Sequence, residues 1–315
     1  MVHTLNLQTD YGETIYGNAW LTSQRVLGNV IVIHGMAEHS MRYDRFAKFL
    51  NGVGYNVFAV DHPGHGKNVT APKEPLRQYG EWPLNGFDLC VKQVHTLNRY
   101  IRSINNAKII IFGHSMGSFI AQRYYQLHSE EIAGVILCGS SANNATLKLS
   151  RVVTAIARPF MSEKQRKKPA KFLANVQNKS FNKGTPEEFE DGYTSINRWI
   201  SYNEDNVKAY DKDEGCGFVC SFNFYYSLAK GLQKTFKKKN VRAIKQTVPM
   251  LIISGAEDPV GGNGKYVKKL KNLYALFQEN VYLGLYRGMK HELLNEDEYA
   301  RVQNDIASFL TRAIK

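Results

Sequence analysis

Short apolar runs punctuate this chain, separated by stretches in which apolar residues return every three or four positions. Val30-Ile31-Val32-Ile33, Val57-Phe58-Ala59-Val60, Lys108-Ile109-Ile110-Ile111-Phe112, Ala133–Cys138, Pro249-Met250-Leu251-Ile252-Ile253 and Val281–Tyr286 are the runs. Continuous β-branched segments of this length, closed by turn residues, read as buried strands. The intervening periodic stretches predict helices over about 43–52, 85–104, 265–277 and 298–314, and another directly after residue 115. Residues 4–9 and 14–21 alternate and flank Asp10-Tyr11-Gly12-Glu13, which predicts a hairpin ahead of them. Strand–helix alternation implies the α/β class, with a mostly parallel central sheet and helices on both faces. Between Ser141 and Lys245 the strand rhythm stops and the chain looks helical and loop-like. Residues 1–140 and 246–315 are therefore expected to form one core, with 141–245 inserted as a mainly helical cap.

The run ending at Phe112 stops at Gly113-His114-Ser115-Met116-Gly117 and then turns amphipathic. A strand, a sharp turn through G-x-S-x-G and a helix would hold the Ser115 hydroxyl out over the strand end. A serine becomes a nucleophile when a histidine takes its proton and a carboxylate fixes that histidine's tautomer. In this arrangement the order along the chain is serine, acid, histidine. The run at Pro249–Ile253 leads into Ser254-Gly255-Ala256-Glu257-Asp258-Pro259, where Asp258 is the chosen acid and Glu257 its competitor. The last strand leads into Gly288-Met289-Lys290-His291-Glu292, so His291 stands where the base belongs. His3, His95 and His128, among the nine histidines, have no such placement. His114 is expected to support the turn, because its side chain should point away from that of Ser115.

Acyl transfer also needs donors for the carbonyl oxygen as it gains charge. The N–H of Met116, next to the nucleophile, is one candidate. The other is Met36, after the run Val30–Ile33 and His34-Gly35. Glu38 and Arg42 lie four apart beside that loop, a spacing that suits an ion pair bracing it; contact with the alcohol side of an ester is the weaker alternative.

His34-Gly35-Met36-Ala37-Glu38-His39-Ser40-Met41-Arg42-Tyr43 resembles the HGxxEHxxRY signature of the monoacylglycerol lipase and bacterial lysophospholipase family. Asp61-His62-Pro63-Gly64-His65-Gly66, the form of the serine turn and Gly288–Glu296 resemble that family's other motifs, in the same order. The likeness spans nearly the whole chain and is weakest in the middle. It implies the α/β-hydrolase fold and hydrolysis of carboxylic esters, often lipid monoesters, with no cofactor. The family's triad and oxyanion positions fall on Ser115, Asp258, His291, Met36 and Met116. Short-chain esterases share these motifs, and so does amide or peptide cleavage on the same triad. An aminopeptidase would need an acidic pair in the cap to hold the substrate's ammonium, for which Glu187, Glu188, Glu190 and Asp191 are available. A non-catalytic binding protein on this fold would be expected to lack a triad member.

At 315 residues, with 43% hydrophobic and 22% charged positions, the composition is that of a globular enzyme. No apolar stretch reaches the roughly 18 residues of a membrane span. The first 21 residues carry Asp10 and Glu13 and do not resemble a signal or transit peptide, so the cytoplasm is the expected location. Cys90, Cys138, Cys216 and Cys220 match no zinc spacing, and no metal or disulfide is expected. The formal charge is +13 and the pI about 9.4. Residues 141–245 hold 20 Lys and Arg against 10 Asp and Glu, a surplus of 10 out of that 13. With no nucleic-acid motif to accompany it, this charge reads as a solvated face or as attraction to an anionic membrane surface. The same region is rich in aromatics, and Trp199, Phe222 and Phe224 are the candidates for an apolar acyl site; the stretch Trp199–Phe224 also resembles the cap of the lysophospholipase-like proteins.

Overall fold

The computed structural model describes residues 2–186 and 188–315; Glu187 lies outside them. Eight strands form one sheet: β1 (Val2–Gln8), β2 (Thr14–Trp20), β3 (Gly28–Ile33), β4 (Tyr55–Val60), β5 (Ile109–His114), β6 (Gly134–Cys138), β7 (Met250–Gly255) and β8 (Val281–Tyr286). Their order is β1-β2-β4-β3-β5-β6-β7-β8. The β1–β2 and β2–β4 pairs are antiparallel and the rest are parallel.

Apart from β8, which is partly exposed, the unbroken apolar runs of the sequence are the strands covered on both faces. Along β3, Ile31 and Ile33 enter one core cluster while Val30 and Val32 enter the other; along β5, Ile109 and Ile111 part in the same way from Ile110 and Phe112. This is the two-residue period of a strand read on two buried sides. Helices α1 (Asp44–Gly52) and α9 (Tyr299–Ala313) cover one face through Phe46, Leu50, Val302 and Ile306. Helices α2 (Gly86–Ile104), α3 (Met116–His128) and α8 (Lys265–Ala275) cover the other through Phe87, Val94, Ile120, Tyr124 and Leu270. Element boundaries follow the expected ones closely. The strand expected at Val57 begins at Tyr55, and a short helical turn at Lys67–Thr70 was not foreseen.

Between β6 and β7 the chain forms α4 (Ala145–Ala157), α5 (Lys171–Phe181), α6 (Glu204–Lys212) and α7 (Phe222–Thr235) with their loops. Helix α7 is seated on the core by Phe224 and Leu232. A smaller apolar group, Phe189, Ile200, Val207, Tyr210 and Cys216, holds the middle of the insertion together. Cys216 belongs to that group and Cys220 to the main core; all four cysteines are free.

Candidate active site

Ser115 lies between β5 and α3 with φ 51° and ψ −120°, a left-handed backbone that costs a non-glycine residue about 1–3 kcal/mol. Its surroundings fix it there. The Ser115 N–H donates to the Cys138 carbonyl at 2.9 Å, and Ser118 donates to the Ser115 carbonyl from both its N–H (2.9 Å) and its hydroxyl (2.6 Å). The flanking glycines are required by close approach. A Cβ on Gly117 would stand 2.0 Å from the Ile33 carbonyl oxygen, and one on Gly113 would stand 2.5 Å from that of Gly117. Met116 opens α3, so its N–H is among the first-turn donors that the helix cannot satisfy itself.

The loops after β7 and β8 bring Asp258 and His291 together. His291 Nδ1 lies 3.0 Å from Asp258 Oδ1, with both side chains buried. Asp258 also accepts from the Val260 N–H (2.9 Å) and the Ser254 hydroxyl (3.1 Å). Burial raises this carboxyl, but His291 and the two donors outweigh it and hold the group below its usual range. With its Nδ1–H donated to a carboxylate, His291 carries its lone pair on Nε2, which is buried and makes no hydrogen bond. Gly139, at the end of β6, adjoins the ring: its φ is 58°, and a Cβ there would come within 2.9 Å of His291 Cε1. The competing acid, Glu257, accepts instead from the Met289 N–H at 3.2 Å and so braces the histidine loop.

Met36 is half-buried in the loop after β3, beside Ala37, whose φ is 53°. The Ala37 N–H donates to His65 Nε2 at 3.3 Å, and its carbonyl accepts from the Tyr210 hydroxyl (2.7 Å) and the Gly217 N–H (3.0 Å). Below the loop lie the buried rings of His34, His62 and His65, with centroids 4.1 to 6.0 Å apart. Burial, with repulsion from His65, drives His62 down to about 3; burial also lowers His65, to about 4. Both are neutral; His65 Nε2 accepts the Ala37 N–H, and His34 Nε2 accepts the N–H of His62 at 3.0 Å.

Glu38 is the hub joining these loops. Its Oε1 accepts from the Gly35 N–H (2.5 Å) and the Tyr43 hydroxyl (3.0 Å), and it faces His114 Nδ1 at 3.0 Å. Arg42 bridges Glu38 Oε2 (3.1 Å) and both oxygens of Glu292 (2.5 and 2.8 Å), and reaches Asn206 of α6. His114 Nε2 faces the His291 carbonyl at 3.3 Å. Burial alone would raise the Glu38 and Glu292 carboxyls, but His114 and Arg42 hold both below the ordinary range. Burial works the other way on His114, where Glu38 prevails and lifts it above its usual value. A cavity of about 20 Å³ inside the network has room for one water molecule.

Of the cap residues singled out by sequence, Trp199 comes to the histidine: its ring centroid is 5.0 Å from that of His291 and 4.6 Å from that of Phe181. Its Nε1–H is buried without a partner. Phe222 is buried at the start of α7. Phe224 is set into the core, with its ring 4.1 Å from that of Trp82. Glu292, Asn206 and Tyr210 enter the network without having been foreseen. For Glu292 the signal was its position directly after His291; for the other two, contacts across more than 160 residues leave no local trace.

A profile of the family described as serine aminopeptidase, S33, matches residues 24–298. The chain belongs to that family. It is 27% identical over 303 residues to a monoacylglycerol lipase of Mycolicibacterium smegmatis, covering 95% of this chain and 93% of that one. It is 21% identical over 277 residues to phospholipase YtpA of Bacillus subtilis, covering 88% and 92%. A thermostable carboxyl esterase from Bacillus coagulans, solved with glycerol, superimposes with a TM-score of 0.86 at 25% identity, covering 100% and 99%. A monoglyceride lipase from Saccharomyces cerevisiae, at 19% identity and TM-score 0.72 over 99% and 95% of the two chains, shares the fold. This family member is an ester hydrolase of α/β-hydrolase fold. Among its described residues no helix is long and apolar enough to cross a membrane.

Proposed function

We propose that the protein hydrolyses lipid monoesters of the monoacylglycerol or lysophospholipid type through Ser115, His291 and Asp258. The observation that carries this reading is His291 itself, fixed by Asp258 through Nδ1 with a buried, unpartnered Nε2. Ser115 attacks the ester carbonyl while its proton passes to Nε2, and Asp258 stabilises the imidazolium that forms. The N–H groups of Met36 and Met116 receive the oxyanion. Nε2–H then protonates the departing alcohol, and a water activated by the same nitrogen frees the acyl group.

Residues 141–245 act as a cap in this reading. Trp199 and Phe222 line the approach, and each methylene buried there contributes roughly 0.8 kcal/mol. The full-length likeness to a monoacylglycerol lipase supports the lipid monoester. Peptide cleavage is named in the family's description, but the acids it would use here are not gathered into a site: Glu188, Glu190 and Asp191 are exposed, and Asp191 is bound to Lys208 at 2.6 Å. Part of the cap also suits an anionic lipid surface. Ile156, Phe160, Phe172 and Val176 are 52% to 86% exposed, and the exposed lysines 164, 167, 168 and 171 lie among them in sequence. Four free cysteines accord with a reducing compartment such as the cytoplasm.

Hydrolysis of p-nitrophenyl esters from acetate to palmitate, by wild type and Ser115→Ala, tests the proposal. Turnover that depends on Ser115 and rises with chain length is the expected result. Ser115-dependent turnover confined to acetate and butyrate would make the protein a short-chain esterase with a tight cap. Equal rates in the two proteins would overturn the mechanism.

A further inference from the structure

At the other end of the parallel strands from Ser115, three side chains converge that the ester chemistry does not use. His95 comes from α2, His128 ends α3, and Glu131 lies in the turn before β6. His95 Nδ1 is 3.3 Å from Glu131 Oε2, and His128 Nδ1 is 3.2 Å from Glu131 Oε1. One ligand atom from each residue falls within 4.8 Å of the other two. Ligands about 2.0–2.1 Å from a tetrahedral zinc ion stand roughly 3.3 Å from one another. Each imidazole stands about that far from a different oxygen of Glu131, so the carboxylate would hold the ion between its two oxygens.

Hydrogen bonding explains only half of this arrangement. His128 Nδ1 is bonded to the carboxylate, whereas His95 Nδ1 is buried and makes no hydrogen bond despite its distance from Oε2. The distance suits a bond and the direction does not, as when a nitrogen lone pair points at a position shared with its neighbours. The imidazoles are stacked, with centroids 4.2 Å apart and planes 20° from parallel, so two charged rings would repel each other. A supporting shell is present as well: the Tyr124 hydroxyl donates to Glu131 Oε2 at 3.2 Å, and its ring stacks on His128 at 4.8 Å. Partners of this kind fix the orientation of a metal's ligands.

We propose that His95, His128 and Glu131 form a binding site for a divalent transition metal of the zinc class. The three residues are 25% to 31% exposed, so three protein ligands leave a fourth position open to solvent, as in exchangeable rather than fully closed sites. A second cluster, His39, Asp213 and Cys216, has comparable spacing. There His39 Nε2 already makes a 2.8 Å hydrogen bond to Asp213, and burial pushes the Cys216 thiol well up, away from the ligating thiolate.

Isothermal titration of the tag-free protein with zinc chloride tests the site, using His95→Ala, His128→Ala, the double variant and Cys216→Ser. Wild type and Cys216→Ser are expected to bind one zinc with micromolar affinity and to gain thermal stability from it. Either single histidine variant should bind at least tenfold more weakly, and the double variant should lose both the binding and the stabilisation. Far-ultraviolet circular dichroism on the same samples establishes that each variant is folded. Absence of saturable binding to wild type would overturn the proposal. So would binding that survives in the folded double variant and disappears in Cys216→Ser.

Discussion

Two regions of this protein are polar or charged to a similar degree and are built on opposite terms. Around Glu38, Arg42, His114 and Glu292, charged groups are buried, paired and hydrogen-bonded to one another. Between β6 and β7, from α4 to α5, in the segment proposed to act as a cap, exposed lysines lie close in sequence to exposed Ile156, Phe160 and Phe172. The first region tolerates no loose group, because an uncompensated buried charge costs several kcal/mol. Neighbouring residues in the second are already in water, where a side chain can change with little effect on stability. The network therefore holds the reactive loops in register, while the cap front is free to serve substrate or surface.

The largest expected effect comes from breaking the chemistry and leaving the network intact. His291→Ala and Asp258→Asn should each lower kcat by about 10⁴-fold, as measured by ester hydrolysis on variants shown to be folded by circular dichroism. Comparable activity in either variant would remove that residue from the triad.

Next comes the network. Arg42→Ala leaves Glu38 and Glu292 buried without their shared cation, and a loss of about 3–5 kcal/mol in urea unfolding is expected. Because Glu38 also holds Gly35 and His114, activity should fall on esters of every chain length. A loss confined to one class of ester would point to substrate contact instead.

Acid sharpens the contrast further. Glu38, Glu292 and Asp258 have folded carboxyls held below their unfolded values of about 4. Such groups contribute stability above the unfolded value, and that stability disappears as the pH falls through the folded value. Asp61 and Glu296 are shifted upward by burial and offset part of the effect. The urea midpoint should hold between pH 7 and 5 and fall below pH 4, less steeply in Arg42→Ala than in wild type. A midpoint insensitive to acid would contradict this electrostatic reading.

The smallest effect belongs to the cap front. Phe160→Ser with Phe172→Ser should change stability by within about 0.5 kcal/mol and leave acetate-ester turnover at wild-type level. Flotation with phosphatidylserine vesicles should weaken, and added salt should weaken it in both proteins. Equal flotation of variant and wild type would place membrane contact elsewhere.

The same contrast decides what could be read before folding. Sheet strands were legible because a strand buried on both faces needs an unbroken apolar run, and β3, β5, β6 and β7 each supply one. Ser115, Asp258 and His291 stand out in the sequence because each follows an apolar run, and the structure sets His291 beside Asp258. The competition between Asp258 and Glu257 could not be resolved from adjacent residues; it is decided by a histidine 33 positions away. Glu38 and Arg42 announced their pairing through their spacing, but its extension to His114, Glu292 and Asn206 depends on how four loops meet. Phe224 carried the same apolar signal as Trp199; only packing sends one against Trp82 and the other to His291. The cap front offers little to read, since exposed positions impose no periodicity.

A fluorophosphonate active-serine probe, followed by peptide mapping of the adduct, tests most directly whether this geometry activates Ser115. One adduct on Ser115 in wild type, sharply slowed in His291→Ala and absent from Ser115→Ala, is the predicted result. Folded wild-type protein that remains unlabelled, or a label on a different serine, would contradict it.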